Sequence, residues 1–420
     1  MFNITFTRRV GVFVCAATMI GAATPVLASP VRPAATTAHR PTTAKASAAV
    51  SAFTVLHAFS GGSDGADPLG SLLQNLQGDL FGVTLEGGSA GDGTVYESTP
   101  AGAITTLHAF SGADGANPSG GLLNLFGNLD LTGNMYGATQ SGGAHAQGTV
   151  YAINQTGSSF TTLYSFQGTT DGGAPQGRLV LFIDGNLYGT TSSGGTGFGT
   201  IFKLSRSGVI TTLHTFTGGA DGGTPFAGLS PAIRGIGIDG SLYGTTSSGG
   251  AFGGGTIFSI SPSGVFTVLH SLAPSTDGSA PSAELVPDTN GMLYGTASSG
   301  GSGNAGTIFS VTPSGTFTLL YSFPTSPTTG LNPQGSTPAA RLAFYHNNKI
   351  WGTTAFGGAN GQGVVFTFAS GTLTVVHSFA GSADGSIPQG QLLISPDGNV
   401  FGTTTSGGPS GAGTLFALPE

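Results

Sequence analysis

The chain has 420 residues, of which 11 are basic and 18 acidic, against 75 glycines. A chain this poor in charge and rich in glycine is disordered when apolar residues are scarce, but here they make up 38% with 28 Phe, enough to bury a real core. So few Lys and Arg exclude a protein that tracks nucleic-acid phosphates, and no apolar run is long enough to span a bilayer.

Residues 1–28 read as a secretory signal peptide. Arg8 and Arg9 precede an apolar run from Val10 to Thr24, and Val26, Leu27 and Ala28 provide a site for cleavage after Ala28. Gly11 stands where a twin-arginine signal takes an apolar residue, which favours general secretion. Cys15, the chain's one cysteine, lies inside this segment, so the mature chain is expected to hold no thiol, disulfide or thiolate ligand. Residues 29–50, rich in Ala, Thr and Pro, have linker composition. Cleavage leaves 9 basic and 18 acidic groups, a net charge near −9.

From residue 51 onward one pattern repeats seven times. An "LHAF"-like segment is centred on His57, His108, Tyr164, His214, His270, Tyr321 and His377, at spacings of 50 to 56 residues. An apolar segment surrounds Leu72, Leu122, Leu179, Leu229, Leu285, Leu342 and Leu392. An "LYGTT"-like segment is centred on Phe81, Tyr136, Tyr188, Tyr243, Tyr294, Trp351 and Phe401, and a "GTIF"-like segment ends at Tyr96, Tyr151, Phe202, Phe258, Phe309, Phe366 and Phe416. All four are rich in Val, Ile, Thr and aromatic residues, and the joints carry Asp-Gly or Ser-Gly pairs that suit hairpins. The pattern predicts seven four-stranded antiparallel sheets and 28 strands. The array begins with a lone "FTVLHAF" and ends three strands into its last unit at "GTLFALP", so the first strand completes the last sheet and closes a ring. Residues 51–420 are therefore predicted to form an all-β, seven-bladed β-propeller. Gly82, Gly137, Gly189, Gly244, Gly295, Gly352 and Gly402, each directly after the strand aromatic, are expected to remove bulk where sheets converge near the axis.

The blocks "NLYGTTSSGG", "GTIFKLS" and "TTLHTF" resemble the GloVer tandem repeats of exported bacterial proteins, over about residues 52 to 418. Their order is also similar to that of kelch repeats, which implies that "LYGTT" is the second strand from the axis. Members of the family are described as carrying sorting anchors. This sequence departs from that by ending at Glu420 without such a tail. The resemblance supplies no catalytic residue.

Because neighbouring strands alternate in direction, the "SSGG" loop after the second strand and the "DGxxP" loop after the fourth share one face. Asp64, Asp114, Asp171, Asp221, Asp277 and Asp384 stand on that face, each followed by Gly and then by Pro68, Pro118, Pro175, Pro225, Pro281 or Pro388. The sixth copy reads "TTGLNP", with Thr329 at the Asp position and a lengthened loop over 324–340. Three roles compete for this ring: a turn acceptor for backbone N–H groups, a calcium or sugar-hydroxyl site, and paired carboxylates for glycoside hydrolysis. The first is preferred, since a sevenfold motif singles out no pair of acids and one Asp per blade gives calcium too few ligands. The repeated His residues, replaced by Tyr in two copies, read as packed rings with a bonded tip.

Non-repeated polar residues are better candidates for binding, since the scaffold does not demand them. Glu86 and Asp92 in the first glycine loop and His145 in the next are proposed to meet near the pore mouth, facing the blade-six loop. The longer hairpins of blades two and four, near Asp130 and Arg234, lie on the opposite face. The expectation is a secreted monomer, extracellular or periplasmic, that binds or scaffolds extracellular carbohydrate or another cell-surface polymer. It needs no cofactor, unless the Asp ring holds calcium. The alternative is a propeller-fold polysaccharide hydrolase or lyase.

Overall fold

Alternating β-branched and aromatic residues, punctuated every few positions by glycine turns, leave this chain little choice but short antiparallel strands. The computed structural model describes residues 51–124, 133–234, 237–324, 332–345 and 349–420. The expected signal peptide and linker, Asp130 and Thr329 lie outside the described residues. The described residues form seven antiparallel sheets and no helix. Blade one runs outward from the axis through Ala66–Gln74, Leu80–Glu86, Thr94–Ser98 and Ile104–Ala109, and the later blades repeat that order. The "LYGTT" strand is second from the axis, as the kelch-like order implies. Blade two differs because its inner strand is split into Ala116–Pro118 and Leu123–Asn124, both paired with Met135–Ser141. The described strands thus number 29, one more than the repeat arithmetic predicts.

The ring closes as expected. Thr54–Ala58 pairs antiparallel with Thr414–Pro419 on the outside of blade seven, with Thr54 opposite Ala417 and His57 opposite Leu415. The Phe59 N–H donates to the Gly413 carbonyl at 3.0 Å, and its ring is fully buried. Phe53, just before the strand, stacks on His377 of blade six with centroids 3.7 Å apart. Nearer the axis the same seam is bonded by Ser71 Oγ to Gln391 Oε1 at 2.8 Å and Ser395 Oγ to Gln74 Oε1 at 2.6 Å.

No blade has a core of its own. The buried side chains fall into seven clusters, each filled from neighbouring blades. Phe81, Val95 and Phe110 of blade one pack on Leu122, Met135 and Tyr151 of blade two, and Phe401 and Leu415 of blade seven pack on Leu72, Leu80 and Tyr96 of blade one.

The repeated strand glycines have a more local reason than converging sheets. Gly82 pairs with Tyr96 and Gly244 with Phe258 across the second and third strands of one blade. A Cβ on Gly82 would stand 2.5 Å from the Tyr96 hydroxyl, and one on Gly244 the same 2.5 Å from Phe258 Cζ. The third-strand ring lies across its own blade and the glycine makes room for it, an aromatic covering a bare stretch of backbone. Five blades use Phe here, and blades one and two use Tyr96 and Tyr151, whose hydroxyls are buried and, among the described residues, have no partner. Burial pushes both phenols well above the ordinary tyrosine value.

Two outcomes test this account. Tyr96→Phe and Tyr151→Phe each remove an unpaired buried hydroxyl, and urea unfolding is expected to show stability unchanged or raised by about 1 kcal/mol; a loss above that would mean the hydroxyls have partners. Deleting residues 29–59, compared with deleting 29–50, removes the closing strand and empties the Phe59 site. It is expected to cost at least the roughly 3–5 kcal/mol of an emptied buried Phe position, read as a fall in Tm.

Candidate functional site

The "DGxxP" segments are the crossovers that carry the chain from the outer strand of one blade to the inner strand of the next, and a single contact organises each of them. An ionised carboxylate only accepts, so the His Nε2–H donates to Asp Oδ2 in five copies. The distances are 3.0 Å for His57–Asp64, 2.8 Å for His108–Asp114, 3.1 Å for His214–Asp221, 2.9 Å for His270–Asp277 and 2.9 Å for His377–Asp384. In the Tyr164 copy the phenol donates to Asp171 Oδ2 at 2.9 Å. Each carboxylate also accepts a backbone N–H, from Ser60, Ser111, Gln167, Thr217, Ala273 or Ala380. The Asp ring and the His ring, read separately from the sequence, are the two halves of one contact. A β-bulge just before the ring-bearing residue, where the register skips between Val55 and His57 or Thr162 and Tyr164, re-aims the side chain toward the crossover. The flat faces of four of these His rings are covered by Phe from the next blade: Phe160 on His108 at 3.8 Å, Phe266 on His214 at 3.9 Å, Phe317 on His270 at 4.2 Å and Phe53 on His377 at 3.7 Å.

The sixth crossover corrects the sequence alignment. Tyr321 OH donates to Gln334 Oε1 at 2.6 Å, so Gln334, followed by Gly335 and three residues later by Pro338, takes the Asp place that the sequence pattern gives to Thr329. The added residues precede this motif. Asn332 closes their return, its Nδ2 donating to the Pro324 carbonyl and its Oδ1 accepting the Gln334 N–H.

Before each crossover proline stands a non-glycine residue with positive φ, between 52° and 58°: Asp67, Asn117, Ala174, Thr224, Ala280, Thr337 and Ile387. Its N–H donates to the glycine loop of the preceding blade, as Asn117 N–H to the Asp92 carbonyl at 2.8 Å and Asp67 N–H to the Ala412 carbonyl at 3.0 Å. The two loop types therefore share a face and are bonded around the ring. Asp92 lies in one such loop, and Glu86 ends the strand that leads into it, exposed and opposite Ala66, with Asp67 next to it. Burial and the Glu86 charge together raise the Asp67 carboxyl. His145 is exposed in the following loop, and among the described residues no hydrogen bond or ion pair joins it to Glu86 or Asp92.

The feature that sequence reasoning passed over lies on the axis. Directly after the crossover prolines, one short segment per blade lines a cavity of about 210 Å³, and its walls include Ser71, Ser119, Gln176, Arg178, Phe226, Glu284, Arg341, Gln389 and Gln391. The residue before the repeated Leu is Ser71, Gly121, Arg178, Gly228, Glu284, Arg341 and Gln391 in blades one to seven, a position whose charge and size change from blade to blade. Arg178 Nη2 donates to Glu284 Oε1 at 3.1 Å and its Nε to Oε2 at 3.4 Å. Arg341 Nε stands 3.2 Å from Glu284 Oε1 but off the hydrogen-bonding line, an ion pair without a hydrogen bond. The Glu284 side chain is 6% exposed, the two arginines 22% and 19%. The Glu284 charge raises Arg178. Burial lowers Arg341, with Glu284 opposing that shift and Arg178 adding to it; both guanidiniums stay charged.

Three phenylalanines break the repeat on the same face: Phe198, Phe252 and Phe356, in the glycine loops of blades three, four and six, are all exposed, Phe252 at 64%. Among the described residues no group of three metal-ligating side chains converges, and the ring carboxylates are turned toward N–H and O–H donors.

The crossover contacts set a pH response. Burial works to raise Asp64, Asp114 and Asp277, but bonds from Ser60 and His57, from Ser111 and His108, and from Ala273 and His270 outweigh it and hold these carboxyls below 3.8. Burial holds His214 below 6.5 despite Asp221. Depressed values mean stability that is complete above the unfolded-state pKa and lost as pH falls through the folded one. Tyr164, raised by burial and by Asp171 to about 12, acts oppositely, its contribution declining as pH rises past 10.0. Tm is expected to fall first modestly below pH 6.5, then steeply below pH 3.8, and again above pH 10.0. EDTA at neutral pH is expected to leave Tm unchanged; a drop would assign calcium to the Asp ring.

No curated protein matches the chain in sequence. Solved structures share its fold. The extracellular domain of BT4673 from B. thetaiotaomicron, assigned to a hybrid two component system, aligns with TM-score 0.55 and 12% identity over 87% of this chain and 39% of its own. The corresponding domain of BT3049 from the same organism aligns with TM-score 0.55 and 15% identity over 88% and 42%. This chain spans about two fifths of the length of each. In sequence, residues 37–236 and 230–420 match the Gloeobacter/Verrucomicrobia repeat, so the protein belongs to that repeat family.

Proposed function

We propose that the protein is exported and binds extracellular carbohydrate on the crossover face of its ring. The observation that carries this reading is the pairing of exposed aromatic plates with a polar cavity. Phe198, Phe252 and Phe356 stand on loops of that face, and the axial cavity presents Gln176, Gln389, Gln391, Ser71 and Ser119. A sugar offers an apolar face of C–H groups to a ring and a belt of hydroxyls to amides and hydroxyls, so one ligand uses both. The phenylalanines break the repeat and the cavity residues vary among the blades, and a nearly sevenfold scaffold needs such breaks to place one ligand in one orientation. Glu86, Asp92 and His145 extend the polar side of the face at blades one and two.

A polysaccharide hydrolase is the second reading, and one observation favours it: the Asp67 carboxyl, raised by burial and by Glu86, has the environment of a general acid beside a second carboxylate. The axial cavity does not help it, since its single carboxylate, Glu284, is held by two arginines.

A glycan array on the secreted chain is expected to show binding that Phe252→Ala weakens about three- to tenfold at unchanged Tm, the loss of one stacking contact. Retained affinity in that variant and in Phe198→Ala and Phe356→Ala would overturn the assignment of the face. New reducing ends released from a bound glycan, and lost in Asp67→Asn, would establish the hydrolase instead.

A further inference from the structure

We propose that the axial cavity is a subsite for the carboxylate of an acidic sugar residue, with Arg341 and Arg178 as its ligands. The proposal rests on the carbohydrate reading and gives it a substrate class, uronate-containing oligosaccharides. Three blades send one charged side chain each into the cavity, and two guanidiniums face one carboxylate, which leaves one positive charge uncompensated. Residues 51–420 hold only six basic side chains against eighteen acidic ones. Two of the six lie in this cavity, in a ring that otherwise repels anions.

A locking role does not account for both arginines. Arg178 already satisfies Glu284 through two hydrogen bonds. Arg341 adds a second charge to a half-buried site and, among the described residues, donates no hydrogen bond. Desolvating a guanidinium without bonding it is unfavourable unless something else accepts from it. The scaffold does not require it either, because blades one, two, four and seven hold Ser71, Gly121, Gly228 and Gln391 at the same place. A guanidinium has five donors in a planar fork; with its Nε–H buried against Glu284, Arg341 has its four Nη–H donors to offer and Arg178 three further donors, a match for the two oxygens of a carboxylate.

Charge and size limit the guest. One spare positive charge suits a monoanion. The cavity, about 210 Å³, has room for a single sugar ring or its substituent. Ser71, Ser119, Gln176 and Gln389 around it supply groups for ring hydroxyls, while the chain beyond would run over the phenylalanine-bearing loops.

The test is calorimetric titration of the full secreted chain with an oligogalacturonate, its methyl ester, and a sulfated oligosaccharide that carries no carboxylate. The acid is expected to bind at least tenfold more tightly than the ester, the worth of a charged hydrogen-bonded pair. Arg341→Gln should bring the acid down to the affinity of the ester and leave the ester where it was. Glu284→Gln, which adds to the spare charge, should widen the preference. Should Arg341→Gln fail to fold, the wild type still decides: raising ionic strength must weaken the acid and not the ester. Equal binding of acid and ester overturns this inference and leaves the carbohydrate reading standing. Tighter binding of the sulfated sugar overturns the carboxylate assignment. Binding of none of the three overturns both readings.

Discussion

Each blade hands the chain to the next through a crossover whose path hangs on one hydrogen bond, from a ring on the outer strand to the residue that begins the "DGxxP" turn. Five of these bonds run from His to Asp, one from Tyr164 to Asp171 and one from Tyr321 to Gln334. The six Asp acceptors also take backbone N–H groups, so they set the angle at which the chain turns inward, and the positive-φ residue and proline that follow aim it at the axis. The lining of the axial cavity begins one residue after that proline. Its geometry is therefore inherited from contacts made at the rim of the ring, where His is half-buried between its Asp and a Phe of the neighbouring blade.

This division separates what every blade must do from what one blade is free to do. The dyads, the glycine under each third-strand ring and the inter-blade N–H bonds recur with little variation because each gap between blades has the same shape to fill. The residue before the inner-strand Leu stands beside the axis, and there the chemistry runs from Gly121 and Gly228, where a Cβ would meet the backbone of a neighbouring blade, to Arg178 and Arg341. A fold assembled from repeats keeps its individuality where its blades meet on the axis.

The architecture was legible because strand type, turn type and the split between first and last strand all stated the same answer. The His and Asp rings were also visible, but their union was not: they are six or seven residues apart across a bulged strand, and simple alternation gives no sign of the bulge. The Thr329 alignment failed for a similar reason, since a Gly and a Pro near the expected spacing imitated a motif that Gln334 begins after the insertion. The axial charges are hidden because the recurring Leu marks each inner strand, while the informative residue is its predecessor. Arg178 and Glu284 are 106 positions apart, and only the ring brings them within 3.1 Å. Phe198, Phe252 and Phe356 were hidden among 28 phenylalanines until burial separated them from the core.

The strand Thr54–Ala58, which belongs to blade seven although it precedes blade one, bears on how such a ring can change over evolutionary time. The unit of duplication in the sequence and the unit of structure are out of phase by one strand. Every repeat is shared between two blades, and no repeat ends where a blade ends. Gain or loss of one unit of 50 to 56 residues therefore alters the circumference by one blade and still presents the first strand to the last sheet. The closure travels with the ends of the gene segment and not with any particular number of copies, so a family of this kind can vary its bore, and with it the size of what the axis admits, without inventing a new way to shut the ring.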